Sequence, residues 1–434
     1  MDYQLSQLEE WDEKICDIAK KHGLDWFDIT YEFIDYFSMI GAMAFHGLPS
    51  HFNHWSFGKS FERTHHMYNM GMEGLPYELI LNSNPSLAYM MRENPFYLQI
   101  LIMAHCVGHS DFFKNNRTFK GTKPETIVGR CRAAKKRFQA YVEDPSIGID
   151  KVEAAVDACY AVQFQIQRPG WIRRSRSEII EVHKEKLKAD PEYPDLDTSK
   201  NPLAPDYDIL GFISENAKLP DWKRDIIEVC RDEGRYFWPQ IQTKIMNEGW
   251  ASYWHYTILH ELDLPPELHV AFVKSHNQVI RPHVGGINPY HLGFHLFQRI
   301  KQRHGIEECF LAREVHHDAS FVRQYLTQED CEELNLFSYS KKKNGDTSVD
   351  DVSDEEGWEE VRRDLVKQVG GGSIPVLYVE EAKKNGDLIL CHEHDGRDLE
   401  LSETKSVLEH LYRLWDDRVI LNTIIDGKYQ KIEN

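Results

Sequence analysis

The stretch MAHCVGHSDFFKNN places His105 and His109 four residues apart, the spacing that stacks two side chains on one face of a helix. Neutral imidazoles converging from one face are what a metal with nitrogen ligands uses. Leu98, Leu101, Ile102, His105, His109 and Phe112 follow helical steps and form one apolar stripe, so both histidines face a core. Between them, Gly108 costs about 1 kcal/mol in a helix interior relative to alanine. A close approach beside His109 would account for it. A second helical stretch, PQIQTKIMNEGWASYWHYTILHEL, steps by four and three through Ile241, Ile245, Glu248, Ser252, His255, Leu259 and Leu262. Glu248 therefore lies on an inward stripe, where a carboxylate must be paired, hydrogen-bonded, protonated or bound to a metal. His105, His109 and Glu248 make the open three-ligand set of a catalytic zinc centre. Zinc leads among the divalent metals, and iron or manganese suit the same donors.

Spacing by itself is weak evidence. Among 22 histidines, chance gives roughly one pair at i, i+4, and the chain has two. The other is His291/His295 in NPYHLGFHLF, flanked by phenylalanines and without a second carboxylate helix. In the plainer reading, Glu248 pairs with a buried arginine or histidine, and His105 and His109 bond to backbone carbonyls. In YELILNSNP, the polar residues Tyr77, Glu78, Asn82 and Asn84 would cap helices and hold a tight loop near Pro85, or else line a pocket.

These residues need helices to position them. Leu5, Leu8, Trp11, Ile15 and Ile18 mark an amphipathic first helix that Gly23 could close. Helix-period stretches follow at about 28–45, 85–115, 124–142, 150–166, 174–188, 221–262, 265–275 and 290–304. The Pro- and Asp-rich run ADPEYPDLDTSKNPLAPDYD reads as a surface excursion. After LTQEDCEELN the apolar spacing becomes strand-like, with hairpins expected around Asn344-Gly345 and Asn385-Gly386, two intervening helices, and RVILNTII as a last strand. The expectation is a mainly helical domain at 1–330 and a small α+β domain with an antiparallel sheet at 331–434.

The composition limits the partners. The excess of 70 acidic over 51 basic side chains, net −19, repels phosphate backbones and anionic lipid surfaces, so no nucleic acid is expected. No segment has the roughly 18 uninterrupted apolar residues of a membrane span, and MDYQLSQLEEWDEKIC lacks the pattern of a secretory signal. A cytoplasmic protein is expected. The eight cysteines include no CxxC pair, and reduced, mostly buried thiols follow.

Over nearly its whole length the chain resembles the stage V sporulation protein R family. The likeness lies in HWSFGKSFERT (54–64), LPYELILNSNPSLAYMMREN (75–94), IMAHCVGHSDFFKNN (102–116), KIMNEGWASYWH (244–255), GGINPYHLGFHLF (285–297) and REVHHDASFVRQYLT (313–327). The resemblance implies a cytoplasmic protein linked to spore cortex formation or a stress response. It also implies, as partners, a serine protein kinase and a von Willebrand-type domain protein. NEGWA at 247–251 is similar to a motif of some zincin-type peptidases, whose glutamate on a later helix completes a site begun by an HExxH helix, which implies a zincin-like helical core for residues 1–330. The match departs at Cys106, which stands where the HExxH glutamate, the general base, would be. Cysteine could ligate a metal or react as a thiolate, but it cannot act as a carboxylate base. A base would then come from Asp111, His255 or His276, each also readable as structural, and Asp111 could instead orient a ligand imidazole. Two functions stand side by side: a metal-dependent hydrolase of amide or peptide bonds, and a non-enzymatic scaffold working with the kinase and adaptor.

Overall fold

A computed structural model describes residues 3–70, 78–168, 173–190, 192–283, 286–341, 347–352, 354–355 and 357–433. In chain order the elements are α1 (Leu5–Lys21), β1 (Ile29–Ile34), α2 (Tyr36–Ala44), α3 (Trp55–Asn69), β2 (Glu78–Leu81), β3 (Ser86–Met91), α4 (Phe96–Asn115), α5 (Ile127–Glu143), α6 (Ile149–Tyr160), α7 (Arg176–Ala189), α8 (Ile209–Asn216) and α9 (Asp221–Gln242). They continue with α10 (Lys244–Glu261), α11 (Pro266–Val279), α12 (Pro289–His304), α13 (Ile306–Val315), α14 (Asp318–Tyr325), α15 (Gln328–Glu333), β4 (Phe337–Lys341), β5 (Thr347–Val352), α16 (Trp358–Gln368), β6 (Leu377–Ala382), β7 (Leu388–His392), α17 (Leu401–Trp415), β8 (Val419–Ile425) and β9 (Lys428–Glu433). The protein is mainly helical. The chain packs as two compact units, Met1–Ala133 with Trp238–Ser373, and Ala134–Phe237 with Ile374–Asn434.

The first unit is built around α4. Every residue from Leu98 to Phe113 is buried, so α4 presents no solvent face, unlike the one-sided stripe expected of it. A helix apolar all round belongs in the middle of a core. Helix α10 crosses it where Gly108 meets Ala251: a β-carbon on Gly108 would stand 2.7 Å from the Ala251 Cα, well inside ordinary carbon contact. Two residues earlier on α10 and on its opposite side, Gly249 lies against Gly293 of α12, and a methyl group on either would run into the other helix's backbone. Small residues thus bring three backbones together, and Trp250 and Trp254 fill the space around them, both fully buried. The start of α10 is fixed by the buried Asp318, whose carboxylate accepts from the Ile245 and Met246 amides at 2.9 Å each.

Helix α1 ends as its sequence suggests, with Gly23 at φ +86° and the Leu24 amide donating to the Ala19 carbonyl. Two helical expectations are corrected. Residues 29–34 and 86–91 are strands: β1 pairs parallel with β3, β3 pairs antiparallel with β2, and the order β1-β3-β2 makes β2 an edge. ITYEFI is rich in β-branched and aromatic residues, which suit a pleated surface. The long stretch at 221–262 divides into α9 and α10 at Thr243. Glu78 opens β2 rather than capping a helix, and Asn82 donates to the Thr122 hydroxyl at 2.9 Å; Tyr77 lies outside the described residues.

β4 and β5 pair antiparallel as the expected hairpin, whose turn at Asn344-Gly345 lies outside the described residues. In the second unit β6-β7-β8-β9 form one sheet. The hairpin at Asn385-Gly386 is present, with Gly386 at φ +101°. Most neighbours are antiparallel, but β7 and β8 run parallel, joined through α17. RVILNTII is not the last strand, because the polar KYQKIE adds β9 at the edge. Among the described residues no helix is long and apolar enough to cross a membrane.

Candidate metal centre

His105 and His109 stack along α4 with ring centroids 4.5 Å apart, and their Nε2 atoms are separated by 2.9 Å. Glu248 faces both. Its Oε2 lies 3.8 Å from His105 Nε2 and 3.5 Å from His109 Nε2, and it is buried without a hydrogen-bond partner. A buried, unpartnered carboxylate oxygen needs an explanation. From the other side, strand β2 brings Glu78, with its Oε1 3.7 Å from His105 Nε2. Glu78, His105 and His109 each offer one ligand atom within 4.8 Å of the others, a trio not repeated among the described residues.

These distances fit a small cation. With Zn–N near 2.0–2.1 Å, tetrahedral geometry separates ligand atoms by roughly 3.3 Å, and the four contacts above span 2.9–3.8 Å. The outer hydrogen bonds agree. If both Nε2 lone pairs point at one ion, each Nδ1 carries a proton and must donate it. His109 Nδ1 has the Asn247 Oδ1 at 2.9 Å. His105 Nδ1 has the His255 Nδ1 at 2.9 Å, and His255 Nε2 reaches His276 Nδ1 at 2.8 Å. All three hydrogen bonds are satisfied in one direction, leaving only His276 Nε2 buried and unpartnered at the end.

The protonation tendencies follow from burial and neighbours. Burial works against charge on Glu248, but the two imidazoles outweigh it and hold the carboxyl below its usual range. At Glu78 burial wins and pushes the carboxyl up. Burial lowers His109, but Glu248 and Asn247 outweigh it and raise the ring above its ordinary value. Burial, together with neighbouring imidazoles, drives His255 well down and His276 down to about 4, so both serve as neutral hydrogen-bonding rings.

His105, His109, Glu248, His255 and His276 are thus drawn into one network. Asp111 is not. Its carboxylate accepts from Trp250 Nε1 and the Asp25 amide, both at 2.8 Å, with Arg313 Nε at 3.6 Å. It ties α4 to α10 and bonds to neither candidate ligand imidazole. Cys106 is fully buried, and burial, then Glu78, pushes its thiol well above the usual range, so a thiolate is disfavoured. The His291/His295 pair does not converge: His295 Nε2 meets Asp330 at 3.0 Å, while His291 lines a separate cavity of about 610 Å³ with Ile245, Leu292 and Asp318.

Three residues escaped the sequence reading as parts of the centre. Glu78 had a signal, a carboxylate opening the apolar run ELIL, but nothing in the chain placed that run beside α4. Asn247 precedes Glu248 and would have followed from helical geometry had its His109 partner been known. Tyr290, next to His291, stacks 6.3 Å from the His105 ring, and the charge of nearby Glu248, then burial, raises its phenol above the ordinary value.

Comparison with known proteins assigns the chain. The family model described as SpoVR like protein matches residues 2–374, and the SpoVR-like C-terminal domain matches residues 375–426. A protein of Escherichia coli (strain K12) named Uncharacterized protein YcgB is 31% identical over 473 residues, covering 97% of this chain and 92% of the relative. No solved structure matches. On this evidence the chain belongs to the SpoVR family.

Proposed function

We propose that the protein is a metal-dependent hydrolase of amide or peptide bonds, its ion held by His105, His109 and Glu248. The observation that carries this reading is the pair of Nε2 atoms 2.9 Å apart, facing a buried and otherwise unpartnered Glu248 Oε2. A bound divalent ion, zinc first among the choices, would polarise a carbonyl and lower the pKa of water. The chain's own residues do the rest. Asn247 and His255 fix the tautomer and orientation of the two imidazoles. His276 holds His255 in turn. Tyr290 presents a phenol at the Glu248 side, suited to donating to an oxyanion as it develops. Residue 106 cannot supply the base of an HExxH site. Such an activity would serve the sporulation or stress programme that the family resemblance implies.

The test is direct. Zinc-loaded protein incubated with a mixture of unstructured peptides should yield new termini by mass spectrometry, and Glu248→Gln and His109→Ala should yield none. Equal cleavage by the variants would sink the hydrolase.

A second reading, the scaffold, has one observation in its favour: cavities of about 1040 Å³ and 610 Å³ are lined by no residue of the cluster. Capture of a serine protein kinase or a von Willebrand-type domain protein, undiminished in His109→Ala, would favour it.

A further inference from the structure

Structural metal sites are closed by four protein ligands, whereas catalytic ones keep a position free. Glu78 and Glu248 each bring a carboxylate oxygen within 3.8 Å of His105 Nε2, and Glu78 also groups with both imidazoles within 4.8 Å, so a centre of His105, His109 and Glu248 alone leaves Glu78 without a role. The two carboxylates are held very differently. Glu248 stands in the second turn of the 18-residue α10, whose start is pinned by Asp318 and whose next residue is locked against Gly293. Glu78 is the first residue of a four-residue strand that, among the described residues, pairs on one side only, opposite Met90 of β3. The end of a short edge strand opens at a far smaller free-energy cost than a helix buried in a core. Yet Glu78 is no surface group, with its side chain 17% exposed, the same as Glu248.

We propose that Glu78 is a fourth, displaceable ligand that closes the centre at rest and yields its place to an incoming oxygen donor such as a substrate carbonyl. This rests on the metal-centre reading above. The step is a ligand exchange: the Glu78 carboxylate leaves, a neutral oxygen enters, no covalent bond in the chain changes, and no electrons are transferred. Regulation then resides in the sheet edge, since whatever holds β2 against β3 also holds the centre shut.

Cobalt(II) is the probe, with full-length protein, Glu78→Ala, Glu78→Gln, and His109→Ala as the control lacking a ligand. Azide titration followed by visible absorption reads access to the ion. Glu78→Ala and Glu78→Gln should retain cobalt, show an altered spectrum, and bind azide roughly tenfold or more tightly than the parent, because a competitor present most of the time taxes affinity by the open fraction. Unchanged spectrum and azide affinity would show that Glu78 does not hold the ion. Loss of all cobalt from both Glu78 variants, with native circular dichroism, would make it a permanent ligand and overturn displacement. If the parent takes up no cobalt, or no more than His109→Ala, the metal-centre reading itself has failed.

Discussion

The glycine crossing at Gly108 yields a prediction whose sign differs from that of an ordinary helix. Replacing a solvent-facing helical glycine by alanine stabilises by about 0.5–1 kcal/mol through backbone entropy. Gly129 of α5 is such a position, with no atom within 4 Å of an added β-carbon. At Gly108 the same methyl group would stand 2.7 Å from Ala251 Cα and 3.3 Å from its Cβ, against about 3.5–4.0 Å for relaxed carbon contact. The obstacle is backbone, which cannot rotate aside, so α4 and α10 must separate by roughly 1 Å. Overpacking of this kind costs about 1–3 kcal/mol. Set against the propensity gain, Gly108→Ala should be destabilised by about 1–2 kcal/mol. Moving α10 away also carries Glu248 from its 3.5 and 3.8 Å positions beside the imidazoles, so metal retention should fall together with stability. Denaturant melts of Gly108→Ala and Gly129→Ala, with metal content measured on the same samples, check both. A Gly108→Ala protein as stable as the parent and holding as much metal would refute the close-crossing argument.

Further expectations concern groups around the centre and away from it. Asn247→Ala and His255→Ala should each weaken metal binding by about 10–100-fold in chelator competition, as loss of an orienting hydrogen bond does; parent-like affinity would count against their positioning role. Asp330 is fully buried and accepts from His295, Arg303 and the Thr327 amide. Asp330→Asn should therefore cost about 3 kcal/mol. Burial opposes its charge, but these partners hold its pKa below the usual range, so its contribution is present above the unfolded carboxylate value and is lost as pH falls. The variant's urea midpoint should change less than the parent's on acidification. Asp318 has the opposite sign. Burial raises its pKa to about 7, so its favourable contribution is complete below the unfolded value near 3.9 and is lost as pH rises through about 7. Relative to Asp318→Asn, the parent should lose stability by up to about 1.4 kcal/mol per pH unit from about pH 5 to 7. A flat difference across that range would contradict the assignment.

Much of the centre was legible because helical periodicity fixes which side chains share a face. His105 with His109, and Glu248 with His255, follow from steps of three and four, and Gly108 marked the close approach that Ala251 makes. Long-range pairing was not legible. Glu78 meets His105 only because β2 pairs with β3 and β3 leads into α4, and no local pattern encodes that route. Nor could the chain reveal that Asp111 binds Trp250 rather than an imidazole. The misread segments share a cause: SLAYMM and ITYEFI are short apolar runs beside helices, where a period of two and a period of 3.6 cannot be told apart. KYQKIE has one buried residue, Ile432, too little apolar signal to mark an edge strand.

Whether the cluster binds an ion decides its role. Plasma mass spectrometry of untagged protein, beside His109→Ala and Glu248→Ala, should find close to one divalent metal per parent chain and a large loss in both variants. A parent that carries none, even after reconstitution with zinc, iron or manganese, would make His105, His109 and Glu248 a buried polar network and exclude the metal centre.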